Sequence, residues 1–239
     1  MKKLFTSIFL FCSINLLAQT INVYDDVNAK PRPVPAIFTK ISVSSGIVLF
    51  LTQGNETALA TSVSDEKYET RFKTEVVNGV LKIYYDSKGI SWKNDKNAKL
   101  KAYLSCNSLE AITGSAGAKL VIADQFSFNN LSISFSSGAM FKGKIQAREM
   151  TASVSSGAAM AATGVVSNLT VSASSGAVFN GYELITEFCT ASANSGGSVK
   201  VGIQKELTAS ANSGGEVLYK GTGSVKKRVN SGGSVKPGK

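Results

Sequence analysis

The sequence predicts an all-β fold: a parallel β-helix-like solenoid of ~20-residue coils, with an N-terminal hairpin-containing β segment capping the stack. Three observations carry this. A short phrase recurs as Ser136-Ser137-Gly138, Ser155-Ser156-Gly157, Ser174-Ser175-Gly176, Asn194-Ser195-Gly196-Gly197, Asn212-Ser213-Gly214-Gly215 and Asn230-Ser231-Gly232-Gly233. With the degenerate Ser115-Ala116-Gly117 in front, the first glycines fall at gaps of 21, 19, 19, 20, 18 and 18 residues. One such unit cannot bury its apolar face alone and must stack on its neighbours. Between the phrases, apolar residues alternate with period two, as in Leu131-Ile133-Phe135, Met150-Ala152-Val154, Leu169-Val171-Ala173 and Leu207-Ala209-Ala211. That is the period of a strand with one buried face. Glycine belongs at each corner because it enters left-handed backbone space at no steric cost.

Taken in order, Met1-Lys2-Lys3, the apolar run from Leu4 to Phe11 and the stretch Ser13 to Ala18 read as a secretory signal peptide over residues 1–18, cut after Ala18. A lipoprotein using Cys12 is the alternative, opposed by bulky Phe11 where a small residue is expected. No later segment approaches the roughly 20 apolar residues that span a bilayer as a helix. The expectation is an exported protein without a transmembrane segment, whether periplasmic, cell-surface or secreted.

Loss of the signal takes the formal charge from +10 to +8, with 24 basic against 16 acidic residues. The excess lies in the second half, where residues 117–239 carry 12 basic against 6 acidic side chains. Outside the cell, such a balance suits acidic surfaces, anionic glycans or lipid headgroups, rather than nucleic acid. Solubility and edge protection are the plainer explanation. Two cysteines, Cys106 and Cys189, remain after the signal. Whether they are bridged is open, since spacing does not show whether their Cα atoms come within reach. Cys189 aligns with Leu131, Leu169 and Leu207 and so takes a core-facing slot.

Residues 19–37, with Pro31, Pro33 and Pro35 in alternation, read as an extended linker in which proline blocks helix and ladder alike. Residues 38–108 form the N-terminal β segment and residues 109–239 the solenoid repeats. Ile41 and Val43, then Val48 and Phe50, flank an early copy of the phrase, Ser44-Ser45-Gly46, so the stack can begin there. Ala58 to Val63 reads as a strand. Ser64 to Phe72 suits a helical turn or two, with Asp65 and Glu66 near its start. Lys73 to Val77 and Val80 to Tyr85 alternate around Asn78-Gly79, a strong hairpin signal. A polar loop from Asp86 to Ala98 holds the only tryptophan, Trp92, and Leu100, Ala102 and Leu104 then lead into the repeats.

Stacking sets like residues over one another. Asn194, Asn212 and Asn230 are expected to form a ladder of amides, and Ser137, Ser156, Ser175, Ser195, Ser213 and Ser231 a column of hydroxyls that satisfy one another coil to coil. The last repeat carries Lys226-Lys227-Arg228, then Lys236 and Pro237, residue types that blunt an exposed sheet edge.

Phe38-Thr39-Lys40-Ile41-Ser42-Val43-Ser44-Ser45-Gly46, Val80-Leu81-Lys82-Ile83-Tyr84 and the Leu-x-Val-x-x-Ser-Gly-Ala repeats resemble the head GIN domain family, exported proteins of Gram-negative bacteria described as "putative auto-transporter adhesins". The resemblance covers about Ala36 to Ser234. It implies a β-helix-like protein, adhesion by name, and no established catalytic residues.

The residues themselves speak against an enzyme. The chain has no histidine, which removes His-based triads, most zinc sites and the commonest general base. The repeats offer only Glu110, Asp124, Glu149, Glu183, Glu187, Glu206 and Glu216 as carboxylates, too scattered for calcium or for paired acid/base work. Glu187 and Glu206 can neighbour one another on adjacent coils, with Lys205 beside them as an ion-pair partner. No catalytic residue, metal ligand or cofactor is assigned. From Met150 to Tyr182 no residue is charged, a belt suited either to contact with a partner or second copy, or to a tightly packed middle coil. Trp92, Tyr182 and Tyr219 are the aromatics that could stack on sugar rings. The sequence is therefore read as an exported, non-catalytic binding and adhesion module contacting glycan or a surface protein through a solenoid face. The alternatives are a polysaccharide-active enzyme and a self-associating envelope protein.

Overall fold

A computed structural model describes residues 26–34, 36–89 and 98–238. The signal peptide and Trp92 lie outside the described residues. The chain is nearly all β, a solenoid of about seven turns of roughly 19-residue coils, as the periodicity requires. Five long strands build its body: β9 (Lys119–Phe135), β10 (Met140–Val154), β11 (Ala159–Ala173), β12 (Val178–Ala193) and β13 (Ser198–Ala211). Each pairs in parallel with the next along both of its halves, so that Met140 lies beside Ala159 and Met150 beside Leu169. The first halves make one strip of sheet and the second halves another. At the C-terminal end the two strips part into β14 (Glu216–Gly221) with β16 (Ser234–Pro237), and β15 (Ser224–Val229).

The recurring phrase is the corner between strips, and it is a tight turn of the I′ kind. Ser137 and Gly138 have φ of 52° and 71°, and the Ala139 N–H donates to the Ser136 carbonyl at 3.1 Å. The same holds from Ser45 to Gly232, so serine as well as glycine takes the left-handed conformation. This corrects the expected hydroxyl column. Ser137, Ser156, Ser175, Ser195, Ser213 and Ser231 are exposed, and the ladder at their level is made by the main chain. Each corner glycine N–H donates to the serine carbonyl of the next corner, from Gly117 to Ser137 at 3.0 Å through Gly214 to Ser231 at 3.3 Å. The amide ladder does form between Asn212 Nδ2 and Asn194 Oδ1 at 3.1 Å. Asn230, exposed on the last coil, makes no such bond among the described residues. Where the corner reads Asn-Ser-Gly-Gly, the second glycine is required by contact. A Cβ at Gly215 would stand 2.2 Å from the Ala193 carbonyl oxygen.

The N-terminal end is laid down out of order. β2 (Lys40–Val43) and β3 (Val48–Gln53) stack directly on β8 (Ala111–Gly114) and β9, with the Gly46 N–H on the Ala116 carbonyl at 3.0 Å. The intervening β6 (Val80–Tyr85) and β7 (Leu100–Cys106) form a further coil on the outer side of β2 and β3. No break in the sheet falls at residue 108, and residues 40–53 already belong to the stack. β5 (Phe72–Val77) closes one strip as the antiparallel arm of the Asn78-Gly79 hairpin, and β4 (Ala58–Val63) covers the other, antiparallel to β7. Between them Glu66–Arg71 forms a 3-10 helix, capped by the Asp65 carboxylate accepting from the Lys67 N–H.

The segment expected as a linker is in part structured. β1 (Lys30–Arg32) pairs antiparallel with β4, Pro31 opposite Ala60. A proline lacks a ladder donor, but at an edge strand nothing beyond it needs one. Upstream, Asp26 accepts from Tyr103 Oη at 2.6 Å, Lys101 Nζ at 3.0 Å and Ser62 Oγ at 3.1 Å, while Arg32 pairs with Glu69. Burial alone would raise the Asp26 carboxyl, but these donors and the Asn28 N–H bring it down to about 2.

Inside, the inward residues of successive coils stack in columns. Large rings fill the first coils, with Phe126 stacked on Phe128 at 4.5 Å and Phe135 edge-on to Phe141 at 5.6 Å. Gly114 sits where a Cβ would meet the Phe135 ring, and in the same column Ala173, Ala193 and Ala211 follow. Cys106 and Cys189 are buried free thiols, each pushed up to about 12 by burial.

Candidate binding face

Parallel pairing in register turns a repeated tripeptide into a flat array. In the second-half strip, Ser132, Thr151, Thr170, Thr190 and Thr208 stand one above another, and two residues on Ser134, Ser153, Ser172, Ser192 and Ser210 do the same. Both columns point outward because Ile133, Ala152, Val171, Ala191 and Ala209 between them are buried. A third outward column runs beside them through Asn130, Glu149, Asn168, Phe188 and Glu206. Strand geometry spaces the groups by ~4.8 Å between coils and about 6.7 Å along a strand. The result is a grid of hydroxyls five coils tall. Neighbouring hydroxyls bond across it, Ser210 Oγ to Ser192 Oγ at 3.2 Å.

Charge is kept to the margins of the array. The threonine column ends on Lys226 and the serine column on Arg228. At the opposite end, Ser42 pairs with Lys82 and Lys40 with Ala111. Along the side, the strand bends at two consecutive outward positions, and there the carboxylates are engaged. Lys205 Nζ lies 2.6 Å from Glu187 and Lys226 Nζ 2.9 Å from Glu206. Each glutamate thus pairs with a lysine one coil on, and Lys205 is the partner expected from sequence.

Between Asn168 and Thr170, Phe188 and Thr190, and Glu206 and Thr208 lies an open cleft of about 150 Å³. Phe188 leaves 46% of its surface exposed, with Lys205 Nζ 5.4 Å from its ring centre. A larger groove of about 480 Å³ borders Arg32, Val34, Phe38 and Leu59 near β1.

The tyrosines singled out in the sequence occupy a different part of the surface. Tyr219 is half-buried on β14 and packs against the core. Tyr182 is half-buried on β12, with Lys200 and Lys220 at 5.8 and 5.3 Å from its ring centre. Burial, then Glu216, raises its phenol above the ordinary value, and Lys220 opposes this. The structure does bring the two together around Gly238, whose N–H donates to the Tyr219 carbonyl at 2.8 Å and which leaves no room beside the Tyr182 hydroxyl. Sequence reasoning missed the grid and Phe188. The signal for the grid is the phrase Thr-x-Ser before each corner, at Thr151, Thr170, Thr190 and Thr208. Phe188 carries no sequence signal, because the bend puts two successive side chains outward and breaks the alternation.

Comparison with known proteins places this geometry. Residues 37–223 match the model of a family described as "Putative auto-transporter adhesin, head GIN domain". The chain belongs to that family. No curated protein matches it significantly. Among solved structures, a "putative adhesin" from Bacteroides fragilis superposes with a TM-score of 0.76 at 16% identity, covering 87% of this chain and 94% of that one. A "putative adhesin" from Parabacteroides merdae gives 0.69 at 13% identity, covering 90% and 98%. A "putative lipid binding protein" from Parabacteroides distasonis gives 0.64 at 17%, also covering 90% and 98%. At these identities the likeness carries the fold alone.

Proposed function

We propose that this head GIN protein is an exported, non-catalytic binding and adhesion module of the bacterial envelope, contacting a glycan or protein surface through the serine and threonine grid. The observation that carries the reading is the grid itself. Ten outward hydroxyls in two in-register columns, bare of charge and bounded by cations, form a flat hydrogen-bonding surface. Every hydroxyl both donates and accepts, so such a surface pairs with any partner that presents regularly spaced polar groups. The family description and the names of the neighbours from B. fragilis and P. merdae support an adhesive role. Tyr182 and Tyr219, which lie outside the grid, enter the proposal with Trp92 as secondary stacking platforms.

The test is a glycan-array and cell-surface binding assay of the mature chain against Thr151→Lys with Ser153→Glu. Charge set within the grid is expected to weaken binding about tenfold or more, the worth of one desolvated polar contact, with an unchanged circular dichroism spectrum. Undiminished binding by that variant would sink the proposal. So would polysaccharide turnover that Glu187→Gln abolishes.

A further inference from the structure

From the cleft at Phe188 we infer the class of ligand: the head GIN face holds one pyranose ring of a neutral polysaccharide against Phe188, with the chain continuing over the hydroxyl grid. The inference rests on the proposed role of that face and deepens it.

Phe188 is the anomaly of its column. Its in-register neighbours on either side are Asn168 and Glu206, and the positions beyond them are Glu149 and Ser224. An aromatic ring left 46% exposed there fills no part of the core; Lys205 Nζ lies 5.4 Å from its centre, and the rest of its apolar surface faces water. Aromatic rings in water-facing clefts are the usual platforms for the apolar face of a sugar, which presents C–H groups to the ring and leaves its hydroxyls at the rim. The rim here has the matching chemistry. The Asn168 amide donates and accepts, the hydroxyls of Thr170, Thr190 and Thr208 do both, and Glu206 accepts. The cleft, about 150 Å³ and open to solvent, has room for a ring with the chain running on beyond it.

Charge decides between neutral and acidic glycans. Both lysines beside the cleft are already committed, Lys205 to Glu187 at 2.6 Å and Lys226 to Glu206 at 2.9 Å. An acidic sugar would have to compete with a carboxylate for each lysine and would meet Glu187 and Glu206 as like charges. A neutral sugar meets donors and acceptors alone. The net basic charge of the chain therefore does not make this cleft an anion site.

Calorimetric titration of the mature protein with cellohexaose, laminarihexaose and mannohexaose, and with hexagalacturonate as acidic counter-probe, tests the inference. At least one neutral hexasaccharide is expected to bind, with hexagalacturonate weaker. Phe188→Ala, a surface change that leaves the core intact, should lower the neutral affinity about tenfold, and Phe188→Tyr should retain it. Binding by none of the three neutral probes, tighter binding of hexagalacturonate, or equal binding by Phe188→Ala would each overturn the inference. If Phe188→Ala binds normally and Thr151→Lys with Ser153→Glu does not, the cleft is wrong and the face stands. If neither variant weakens binding, both readings fall.

Discussion

At the scale of single residues, the corner serines stand out. Ser45, Ser137, Ser156, Ser175, Ser195, Ser213 and Ser231 all have φ between 46° and 61°, a region that suits glycine and asparagine and costs other side chains. Their side chains are turned to solvent or only partly covered, so the strain has no packing partner. Asparagine at the first central position of such a turn removes most of that cost. Ser156→Asn is therefore expected to stabilise the fold by about 0.5–1 kcal/mol, seen as a rise of ~1–3 °C in the thermal midpoint. An unchanged or lowered midpoint would mean that the serine hydroxyl contributes something the geometry does not reveal. The second glycine of the later corners is a different case, fixed by the Ala193 carbonyl 2.2 Å from where the Gly215 Cβ would sit.

Elements are held by pairing, and β1 is the one held least by it. Three ladder positions tie it to β4, and the rest of its docking comes from Asp26 and from the Arg32–Glu69 pair. The Asp26 carboxyl is depressed to about 2 in the folded protein and returns to about 3.9 when the segment is released. A depressed acid stabilises above its unfolded value and loses that contribution as the pH falls through its folded one. Docking of residues 26–34 should therefore be at full strength above about pH 4 and fade by about pH 2. Asp26→Asn should cost about 1–3 kcal/mol of docking at neutral pH and nothing at the acid end. Amide hydrogen exchange of Lys30 and Arg32 against pH, in both proteins, reads this directly, and a difference undiminished at pH 2 would refute it.

Over the whole molecule, the two ends of the stack are closed by different means. The first end is covered by antiparallel strands, the last of them carrying Lys30, Pro31 and Arg32, residue types that discourage further pairing. Among the described residues no strand covers the last coil, which instead carries charge. Register sets Lys226 under Thr208, Lys227 under the buried Ala209, and Arg228 under Ser210. Both outward columns and one inward column thus end in a cation, and a charged group at a core position denies a further coil its apolar floor. Lys226→Thr with Lys227→Ala and Arg228→Ser restores the sequence of the coil above. It should yield end-to-end association visible as a rise in mass by light scattering, and a mass equal to that of the wild type would show that the edge is protected otherwise.

Much of this was legible in the residues. The period of about 20, the corner glycines, the Asn78-Gly79 hairpin, the Asp65 cap and the charged last coil are local signals, each fixed by a backbone preference or by alternation that a short segment carries within itself. Three things depended on contacts between segments far apart in the chain. Residues 80–106 lie outside residues 40–53, an order that sheet pairing decides and no local pattern records. The serines of the corners proved to be a main-chain ladder, because the turn type directs their side chains outward. The grid and the Phe188 cleft exist only because coils of 18 to 20 residues absorb their unequal lengths in register shifts at the bend, such as those after Gly181 and Thr186, and so keep every Thr-x-Ser in line. The sequence by itself determined that this chain coils; the pairing of one coil on the next decided which residues share a surface.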